Sequence, residues 1–526
     1  MGGAPSLFKH PGSRTVDLYS TVINRLHFQT MPSLSPFFPR SWLSAWVCWV
    51  ISLFAVATPA AFGASTSATL FPANGAREVC PDTPLRLTFP GATSLGTGLV
   101  RIRETESGRV VATVDLAAPV ATKTIGGLDG YKYYQAIVAG REATLFLPSA
   151  ALGYGRNYEV TIDAGAFRTG DEAFAGLTAA GAWHFSTKAA PPKPDATRLV
   201  VAADGSGDFC TVQGALDFIP DGNTRPTTVF LRKGTYPEII FFTNKHSVTV
   251  LGEDRRETVI AYANNATFNP SGGNPFAGRA NPSGEDPKQG GSVYRRGLFL
   301  AHRVHDFTLA NLTVRNTTPQ GGSQAEALIL NGTADARAII RDVDFYSFQD
   351  TVQFNGQTYV SGCRIEGDVD FMWGTGPSFF ENCTVRSVRS AAYYTQVRNP
   401  ATNHGFVYYR CVFDGADGVA DNFLSRIEPH RFPHSEVVLV DCVVGPSVGA
   451  VGWQLQAAPK GTPAGSTENL HFWEFNSHTA DSRPIEASQR LPVSRQLKRP
   501  DDAVLISDYA NPTYVLGRNW NPKPAL

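Results

Sequence analysis

The stretch VSGCRIEGDVDFMWGTGPSFFENCTV, residues 360–385, contains one short pattern twice. The pattern occupies residues 360–365 and again residues 380–385. It begins with an apolar residue, continues with a polar turn and one inward-facing residue, and ends in a strand of alternating apolar and polar residues. The pattern recurs at short intervals along the chain between residues 309 and 444. The aligned residues are Leu312, Val343, Cys363, Cys383, Cys411 and Cys442.

Strand repeats at this spacing predict a parallel β-helix, because each coil adds one rung while loops of any length leave at the corners. A fold of alternating strands and helices needs helices of about 10–15 residues between its strands. The intervals here are too short and too rich in Gly and Asn for such helices. We therefore predict an all-β protein whose parallel β-helix covers residues 197–526.

Four of the aligned positions are cysteines, which predicts a ladder of thiols inside the coils. A free Cys packs as a small apolar side chain. Disulfides between rungs also fit the spacing, and stacked thiols are the preferred interpretation.

Residues 66–188 contain short alternating runs separated by Gly, Pro and Asp turns, which predicts a small β-sandwich. Its opening TLFPANGAREVCPDTPLRLTF and its closing WHFST resemble bacterial Ig-like modules. Residues 189–196 form a proline-rich linker. We expect the sandwich to act as a spacer or as a module close to carbohydrate.

Residues 42–64 carry no charge and follow Arg40, and small residues stand at the positions that a signal peptidase reads. We interpret residues 1–64 as a signal peptide region, with Met31 as an alternative start. A membrane span is the competing interpretation. The preferred interpretation predicts an exported protein, secreted or periplasmic, with no stable membrane anchor.

The composition excludes several classes of function. Lys+Arg and Asp+Glu balance at 46 each and no basic cluster appears, so nucleic acid is not an expected partner. The chain has no Gly-rich phosphate loop, no Cys/His metal spacing and no G-x-S-x-G motif. We therefore predict no cofactor and no metal.

Asp350 and Asp370 are separated by the same interval as Val343 and Cys363, which is the local rung interval. Equivalent points on neighbouring rungs lie about 4.8 Å apart, so the two carboxylates are expected to face each other. Two close carboxylates cannot both ionise cheaply, and the pair divides into an acid and a base or nucleophile.

Two amides complete the predicted set. The side chains of Gln324 and Gln349 are neutral donors suited to a developing oxyanion. Two acids and two amides predict ester hydrolysis without metal or serine.

Four blocks occur in fixed order: residues 234–238 (GTYPE), 324–328 (QAEAL), 349–352 (QDTV) and 368–374 (DVDFMWG). Together with the opening VVAADGSGDFCTVQGALDFIP, they resemble the pectinesterase (pectin methylesterase) family over about residues 198–520. The resemblance implies a right-handed parallel β-helix. It also implies a hydrolase that removes methyl esters from polygalacturonate. We expect the protein to be a monomer.

By motif, the resemblance implies that Asp370 is the nucleophile and that Asp350 protonates the departing methanol and then activates water. Gln349 and Gln324 would stabilise the oxyanion. The family also carries an Arg, in a Leu-Gly-Arg-Pro-Trp block, that hydrogen-bonds the nucleophile.

Two residues compete for the role of this Arg. Arg518 matches the letters well but lies near the chain's end, whereas Arg426 matches poorly but directly precedes the next rung strand. Position favours Arg426, because the side chain must reach Asp370 from a neighbouring rung. Glu428 then stands where the family has a substrate-contacting Trp, which affects the expected affinity of the groove.

Substrate contacts are predicted for Phe371, Trp373, Arg398 and Trp453. The long loop of residues 263–296 is either a wall of the groove or disordered. Glu326 is interpreted as structural.

Other functions remain open. A polygalacturonase would need three acids on neighbouring rungs, and only Asp501 and Asp502 form another acidic pair. A lyase would need calcium-binding acids and a basic proton abstractor. A non-catalytic carbohydrate-binding homologue, or an esterase for another acyl substrate, is also compatible with the motifs.

Overall fold

The computed structural model describes residues 68–270, 295–333 and 335–523. The predicted signal region lies outside the described residues, and so does most of the long loop of residues 263–296. Among the helices that the structure describes, none is long and apolar enough to cross a membrane.

The first part is built almost entirely from short strands between Thr69 and Thr187. They are β1 (Thr69–Phe71), β2 (Ala76–Val79), β3 (Leu85–Thr88), β4 (Thr93–Leu95), β5 (Leu99–Glu104), β6 (Val110–Asp115), β7 (Val120–Ile125), β8 (Leu128–Tyr134), β9 (Ala136–Ala139), β10 (Glu142–Leu145), β11 (Asn157–Ile162), β12 (Phe167–Thr169), β13 (Glu172–Ala173) and β14 (His184–Thr187).

Two of its sheets, in the orders β1-β3-β10-β9 and β2-β14-β11-β5-β6, supply apolar residues to one shared core. Inward residues alternate with outward ones along β3 and β11, as expected of a half-buried strand. The core contains Trp183, whose indole N–H is satisfied by the carbonyl of Pro72 at 2.8 Å. The likeness to bacterial Ig-like modules and the domain boundaries stay predictions.

The second part begins with β15 and contains parallel strands together with three short helices. The strands are β15 (Arg198–Val201), β16 (Thr227–Leu231), β17 (Gly234–Tyr236), β18 (Ile240–Thr243), β19 (Val248–Gly252), β20 (Thr258–Tyr262), β21 (Phe299–His302), β22 (Phe307–Ala310), β23 (Thr313–Asn316), β24 (Leu328–Asn331), β25 (Arg337–Arg341), β26 (Asp344–Tyr346), β27 (Val352–Phe354), β28 (Gln357–Ser361), β29 (Arg364–Gly367), β30 (Val369–Gly374), β31 (Ser378–Glu381), β32 (Thr384–Ser387), β33 (Tyr393–Val397), β34 (Phe406–Tyr409), β35 (Val412–Gly415), β36 (Phe423–Ile427), β37 (Glu436–Val440), β38 (Val443–Val444), β39 (Trp453–Leu455), β40 (His471–Phe475) and β41 (Arg495–Gln496). The helices are α1 (Val212–Phe218), α2 (Ala503–Tyr509) and α3 (Pro512–Leu516).

These strands form three parallel sheets of eleven, eight and eight strands. From β16 to β40, each sheet takes every third strand of the chain. The chain therefore winds through one strand of each sheet per coil, and the next coil stacks on it in register. This is the predicted parallel β-helix, and the prediction of its fold class is confirmed.

The repeated pattern marks one corner of every coil. The residue before each aligned position has a left-handed backbone with φ between 53° and 63°: Asn311, Asp342, Gly362, Asn382, Arg410 and Asp441. Asn, Asp and Gly tolerate this conformation better than other residues. The aligned residues that follow, from Leu312 to Cys442, all point into the core and are buried.

All four ladder cysteines are buried free thiols in the structure. Burial raises the pKa of the Cys363 and Cys383 thiols well above the ordinary value, and it raises the pKa of Cys442 to about 12. Buried thiols of this kind pack as apolar groups and react slowly.

Short helices cover the first coil and part of the outer face of the β-helix. At the start, the buried carboxylate of Glu238 accepts hydrogen bonds from the first-turn N–H groups of Val212 and Gln213 in α1. On the side of the stack, the α2–α3 pair packs on the outer face of the eleven-stranded sheet, where Gln357 donates to the carbonyl of Leu516 at 2.7 Å.

Asn382 offers a test of the corner geometry, because its side chain is exposed while its backbone is left-handed with φ of 54°. We expect Asn382→Ala to lower the free energy of unfolding by about 1 kcal/mol, because a residue with a β-carbon pays about 1–2 kcal/mol in this conformation and the short polar side chain of Asn, unlike that of Ala, offsets part of this cost by local hydrogen bonding. Asn382→Gly is expected to stay within about 0.5 kcal/mol of the wild type. Urea titrations measure both, and an Ala variant as stable as the wild type would contradict the argument.

Candidate active site

Three carboxylic acids occupy equivalent positions on successive coils. The pairing of β24 with β27 sets Leu328 beside Val352, and the pairing of β27 with β30 sets Val352 beside Met372. Glu326, Asp350 and Asp370 each stand two positions before these paired residues, so they form one column.

The column is buried. The exposed fractions of Glu326, Asp350 and Asp370 are only 0%, 8% and 5%. Three acids stacked at the strand spacing of about 4.8 Å cannot all ionise without compensating charge. The pKa values of the three carboxyls therefore depend on which cations contact them.

The backbone aims two of these side chains. Asp350 and Asp370 have left-handed conformations, with φ of 66° and 48°. In β30 the pairing with β33 shifts register between Val369 and Met372, which places Asp370 in a bulge. A bulge changes the direction of a side chain relative to its strand. The coil geometry therefore directs the two aspartates differently from the regular inward and outward positions.

Asp370 is held by Arg426 of β36. Arg426 Nε donates to Asp370 Oδ1 at 2.7 Å, and Arg426 Nη2 donates to Asp370 Oδ2. The guanidinium carbon also lies 4.6 Å from the centre of the Tyr393 ring. Burial raises the pKa of Asp370, and the Arg426 guanidinium opposes this by favouring the carboxylate. A two-point contact of this kind is charge-assisted and fixes the orientation of the Asp370 carboxylate.

The second candidate arginine lies elsewhere. Arg518 follows α3 and is 3.5 Å from Asp335 in an exposed ion pair. Between the two arginines that the sequence offers, the structure therefore places Arg426 against Asp370.

Asp350 has a different electrostatic environment. Burial raises the pKa of Asp350 well above its ordinary value, and the negative charges of Glu326 and Asp370 raise it further. Arg296 opposes this with a hydrogen bond from Nη2 to Asp350 Oδ2 at 3.2 Å. Asp350 is therefore the member of the aspartate pair that keeps its proton more readily.

The two predicted oxyanion donors lie beside the column. Gln324 and Gln349 are both partly buried, and Gln349 directly precedes Asp350. The coils that carry them are joined by a hydrogen bond from the Ala325 N–H to the Gln349 carbonyl at 3.2 Å. Both amides therefore belong to neighbouring coils on the side of the helix where the aspartates lie.

Trp373 and Arg398 form one edge of the site. The guanidinium of Arg398 lies 4.6 Å from the Trp373 ring and 5.5 Å from the Phe432 ring. Two hydrogen bonds to the side-chain oxygen of Gln396 hold it there, the one from Nε measuring 3.0 Å. Asp350 and Asp370 both attract Arg398 electrostatically. Arg398 thus places a positive charge beside the aspartate pair.

Two amide side chains hydrogen-bond the Glu428 carboxylate at the same edge of the site. Gln396 donates to Glu428 Oε2 at 3.4 Å. With its amide oriented to satisfy its neighbours, Gln456 donates to Glu428 Oε1 at 3.0 Å and accepts a hydrogen bond from Arg426 Nη1. Glu428 therefore belongs to the hydrogen-bond network around Arg426.

Two of the predicted substrate contacts lie inside the protein instead. Phe371 and Trp453 are completely buried in the main core. Phe371 packs against Tyr394 with ring centres 5.4 Å apart, and Trp453 stacks on Phe472 at 4.7 Å. Their rings fill the interior of the coils and cannot stack on a sugar, which corrects the prediction for these two residues.

Comparison with known proteins identifies the protein family of the second part. The model of the family described as Pectinesterase matches residues 198–274 and 283–490. The chain belongs to the pectinesterase family. The predicted family is confirmed, and with it the prediction of a carbohydrate esterase.

Curated pectinesterases resemble this chain over most of their own length. Pectinesterase 31 of Arabidopsis thaliana is 30% identical over 309 residues, which cover 57% of this chain and 88% of that protein. Pectinesterase QRT1 of the same plant is 26% identical over 331 residues, or 61% of this chain and 78% of that protein.

Solved structures of pectin methylesterases are also similar. The enzyme from carrot shares 19% identity with a TM-score of 0.49, covering 65% of this chain and 98% of that chain. PemA from Erwinia chrysanthemi shares 23% identity with a TM-score of 0.47, covering 62% of this chain and 98% of that chain.

Sequence reasoning misses two members of the site. It interprets Glu326 as structural, yet the Glu326 carboxylate is the third in the column. It gives Arg296 no role, yet Arg296 contacts both Glu326 and Asp350. The repeat leaves no signal for Glu326, because its distance along the chain from Asp350 equals the coil interval from Leu328 to Val352 and differs from the interval between Val343 and Cys363.

The Arg426–Asp370 pair predicts a pH-dependent stability difference. Arg426→Ala leaves a buried carboxylate without its partner, so we expect a loss of about 3–5 kcal/mol at neutral pH. The loss should shrink as the pH falls, because protonation of Asp370 removes the unpaired charge. Urea titrations at several pH values measure this.

Arg518→Ala is the matched control. Its exposed pair with Asp335 is expected to contribute less than about 1 kcal/mol. Equal losses in the two variants, or a loss in Arg426→Ala that does not change with pH, would contradict the importance of the buried pair.

Proposed function

We propose that this chain removes methyl esters from pectin and releases methanol, with Asp370 as nucleophile and Asp350 as general acid and base. One observation carries the proposal: neighbouring coils present two buried aspartates, and of the two it is Asp370 that Arg426 holds by a two-point contact. Membership in the pectinesterase family supports the choice of substrate.

In the first step, an oxygen of the Asp370 carboxylate attacks the carbonyl carbon of the methyl ester. The carbonyl oxygen becomes an oxyanion, for which the amides of Gln349 and Gln324 are donors. Arg426 keeps Asp370 ionised and oriented before the attack. Collapse of the tetrahedral intermediate breaks the bond to the methoxy oxygen.

Asp350 donates its proton to this methoxy oxygen, so methanol leaves and an anhydride joins Asp370 to the galacturonyl carbon. Asp350 is then ionised and takes a proton from an incoming water, which attacks the anhydride. The products are a free galacturonate carboxylate, an ionised Asp370 and a protonated Asp350, and the second proton of the water passes to solvent. The raised pKa of Asp350 supports its role as the proton donor of the pair.

Arg398 and Trp373 are proposed as substrate contacts. Arg398 is partly exposed, and its charge suits a galacturonate carboxylate next to the reacting ester. Trp373 lies beside it and is 5% exposed, so only a small part of its ring is offered to a substrate. We also propose that the enzyme acts as a monomer outside the cytoplasm, where it meets pectin.

The alternative acidic pair does not join the site. Asp502 directly precedes α2 and forms an ion pair with Arg495. A cluster of three catalytic acids of the polygalacturonase type therefore gains no support from Asp501 and Asp502.

Methanol release from highly methylated pectin tests the proposal. We expect release by the unit of residues 64–526, none by Asp370→Asn, and a loss of about 100-fold or more in Arg426→Ala. Arg518→Ala is expected to retain wild-type activity. A folded wild type that releases no methanol from pectin, but hydrolyses another methyl ester, would overturn the substrate and keep the mechanism. Activity in Asp370→Asn would overturn the mechanism.

A further inference from the structure

Arg296 contacts the carboxylates of Glu326 and Asp350, and its contact with Glu326 is the closer one. Its Nε lies 2.9 and 3.0 Å from the two oxygens of Glu326, and its Nη2 lies 2.7 Å from Glu326 Oε1. The same Nη2 reaches Asp350 Oδ2 at 3.2 Å. The guanidinium therefore compensates the charge of Glu326 far better than that of Asp350.

Glu326 receives further support as an anion. Burial raises the pKa of Glu326, while the charge and the hydrogen bonds of Arg296 oppose this. The Arg296 guanidinium carbon also lies 5.7 Å from the Trp373 ring. Charge-assisted contacts of this kind are stronger than neutral ones, so Glu326 is the better place for the negative charge.

An ionised Glu326 acts on Asp350 from the neighbouring coil. The charged groups that face Asp350 are Glu326 and Asp370, which disfavour its ionisation, and Arg296 and Arg398, which favour it. Arg296 is largely engaged by Glu326, and Asp350 is almost fully buried. The unequal sharing of Arg296 therefore leaves Asp350 with the proton.

We infer that Arg296 and Glu326 are positioning residues that hold the proton on Asp350, so that Asp350 is already protonated before substrate binds. This inference rests on the proposed function and adds two residues to its machinery. After methanol leaves, the ionised Asp350 still has its hydrogen bond from Arg296. The same pair thus allows Asp350 to act as base in the second half of the reaction.

The pH profile of kcat/KM tests the inference, because its two limbs report the ionised nucleophile and the protonated acid. Glu326→Gln removes the negative charge and frees Arg296 for Asp350. We expect the basic limb to move to lower pH by about one unit or more. The acid limb, set by Asp370 with Arg426, is expected to stay in place.

Two further variants separate this effect from a loss of stability. Glu326→Asp keeps the charge and is expected to restore most of the wild-type basic limb. Glu474→Gln removes the acid of another buried pair, whose Oε1 lies 3.0 Å from Arg490 Nε in the C-terminal coils. It is expected to lower stability without moving either limb.

An unchanged basic limb in Glu326→Gln, or the same shift in Glu474→Gln, would overturn the inference. Infrared titration of the protonated carboxyl band gives a second readout that does not need activity. If the wild type releases no methanol but the band titrates at lower pH in Glu326→Gln, the proposed function fails and the proton assignment stands. If the band does not move, the proton assignment fails.

A separate pair of thiols joins the two parts of the chain. Cys80 follows β2 of the sandwich and Cys210 precedes α1 of the β-helix. Both are buried, and their sulfur atoms and a carboxylate oxygen of Asp82 all lie within 4.8 Å of one another. The thiols therefore meet across the junction between the sandwich and the first coil.

Asp82 is poorly suited to complete a metal site here. Its carboxylate accepts hydrogen bonds from the N–H groups of Cys210 and Thr211 and from the Thr211 hydroxyl. The ammonium group of Lys188 lies nearby and donates to the Gly207 carbonyl. A cation would compete with these donors and meet the charge of Lys188.

We propose that Cys80 and Cys210 form a disulfide when the chain folds in an oxidising compartment. The thiolate of one attacks a disulfide donor of the glutathione or oxidoreductase class, and the second thiol resolves the mixed disulfide. The two thiols lose two protons and two electrons, which reduce the donor to its thiols. A hydrogen bond from Cys210, and the nearby charge of Lys188, lower the pKa of Cys80 and suit it to the first attack.

Residues 64–526 produced in a bacterial periplasm and mapped by mass spectrometry without reduction test this proposal. We expect one disulfide, between Cys80 and Cys210, and four free thiols in the unfolded protein. Cys80→Ser should leave Cys210 unpaired and give five free thiols. Six free thiols in the wild type, a disulfide within the ladder of Cys363 to Cys442, or a bound metal at Cys80 and Cys210 would overturn it.

Discussion

The in-register stacking of parallel coils is the constraint on which the site depends. It places residues one coil apart above one another at the strand spacing. The same geometry that packs Leu312 to Cys442 into an apolar ladder also stacks Glu326, Asp350 and Asp370 on another side of the coils. A shift of one residue in register would move a carboxylate out of the column. The site therefore follows from the fold rather than being added to it.

Three stacked carboxylates repel one another when ionised, and two arginines compensate this negative charge from opposite ends of the column. Arg426 contacts the acid at one end of the column and Arg296 contacts the acid at the other. The middle acid, Asp350, has a longer contact with Arg296, at 3.2 Å. Because each arginine favours the ionised form of its own closer partner, the proton remains on the middle acid. This asymmetry places the ionised Asp370 next to a protonated Asp350, which is the arrangement that the proposed ester hydrolysis requires.

The coils and the aspartate pair can be predicted from the sequence because both leave a periodic trace. Glu326 escapes such a prediction because its coil is longer than the next one, so its interval to Asp350 differs from the interval that links Asp350 to Asp370. Arg296 is the last residue of the long loop of residues 263–296, where no repeat marks its position. The prediction that Phe371 contacts substrate is wrong because a position next to Asp370 does not determine which face of the strand a side chain takes. The bulge in β30 turns the Phe371 ring into the core.

Neutron diffraction from crystals grown at neutral pH in heavy water is the most direct measurement. It locates the exchangeable proton in the column without relying on activity. The asymmetry of the two arginines predicts a deuteron on Asp350, on the Oδ1 oxygen that does not face Arg296, and none on Glu326 or Asp370. A deuteron on Glu326 or Asp370, with Asp350 bare, would contradict the division of charge and the roles that depend on it.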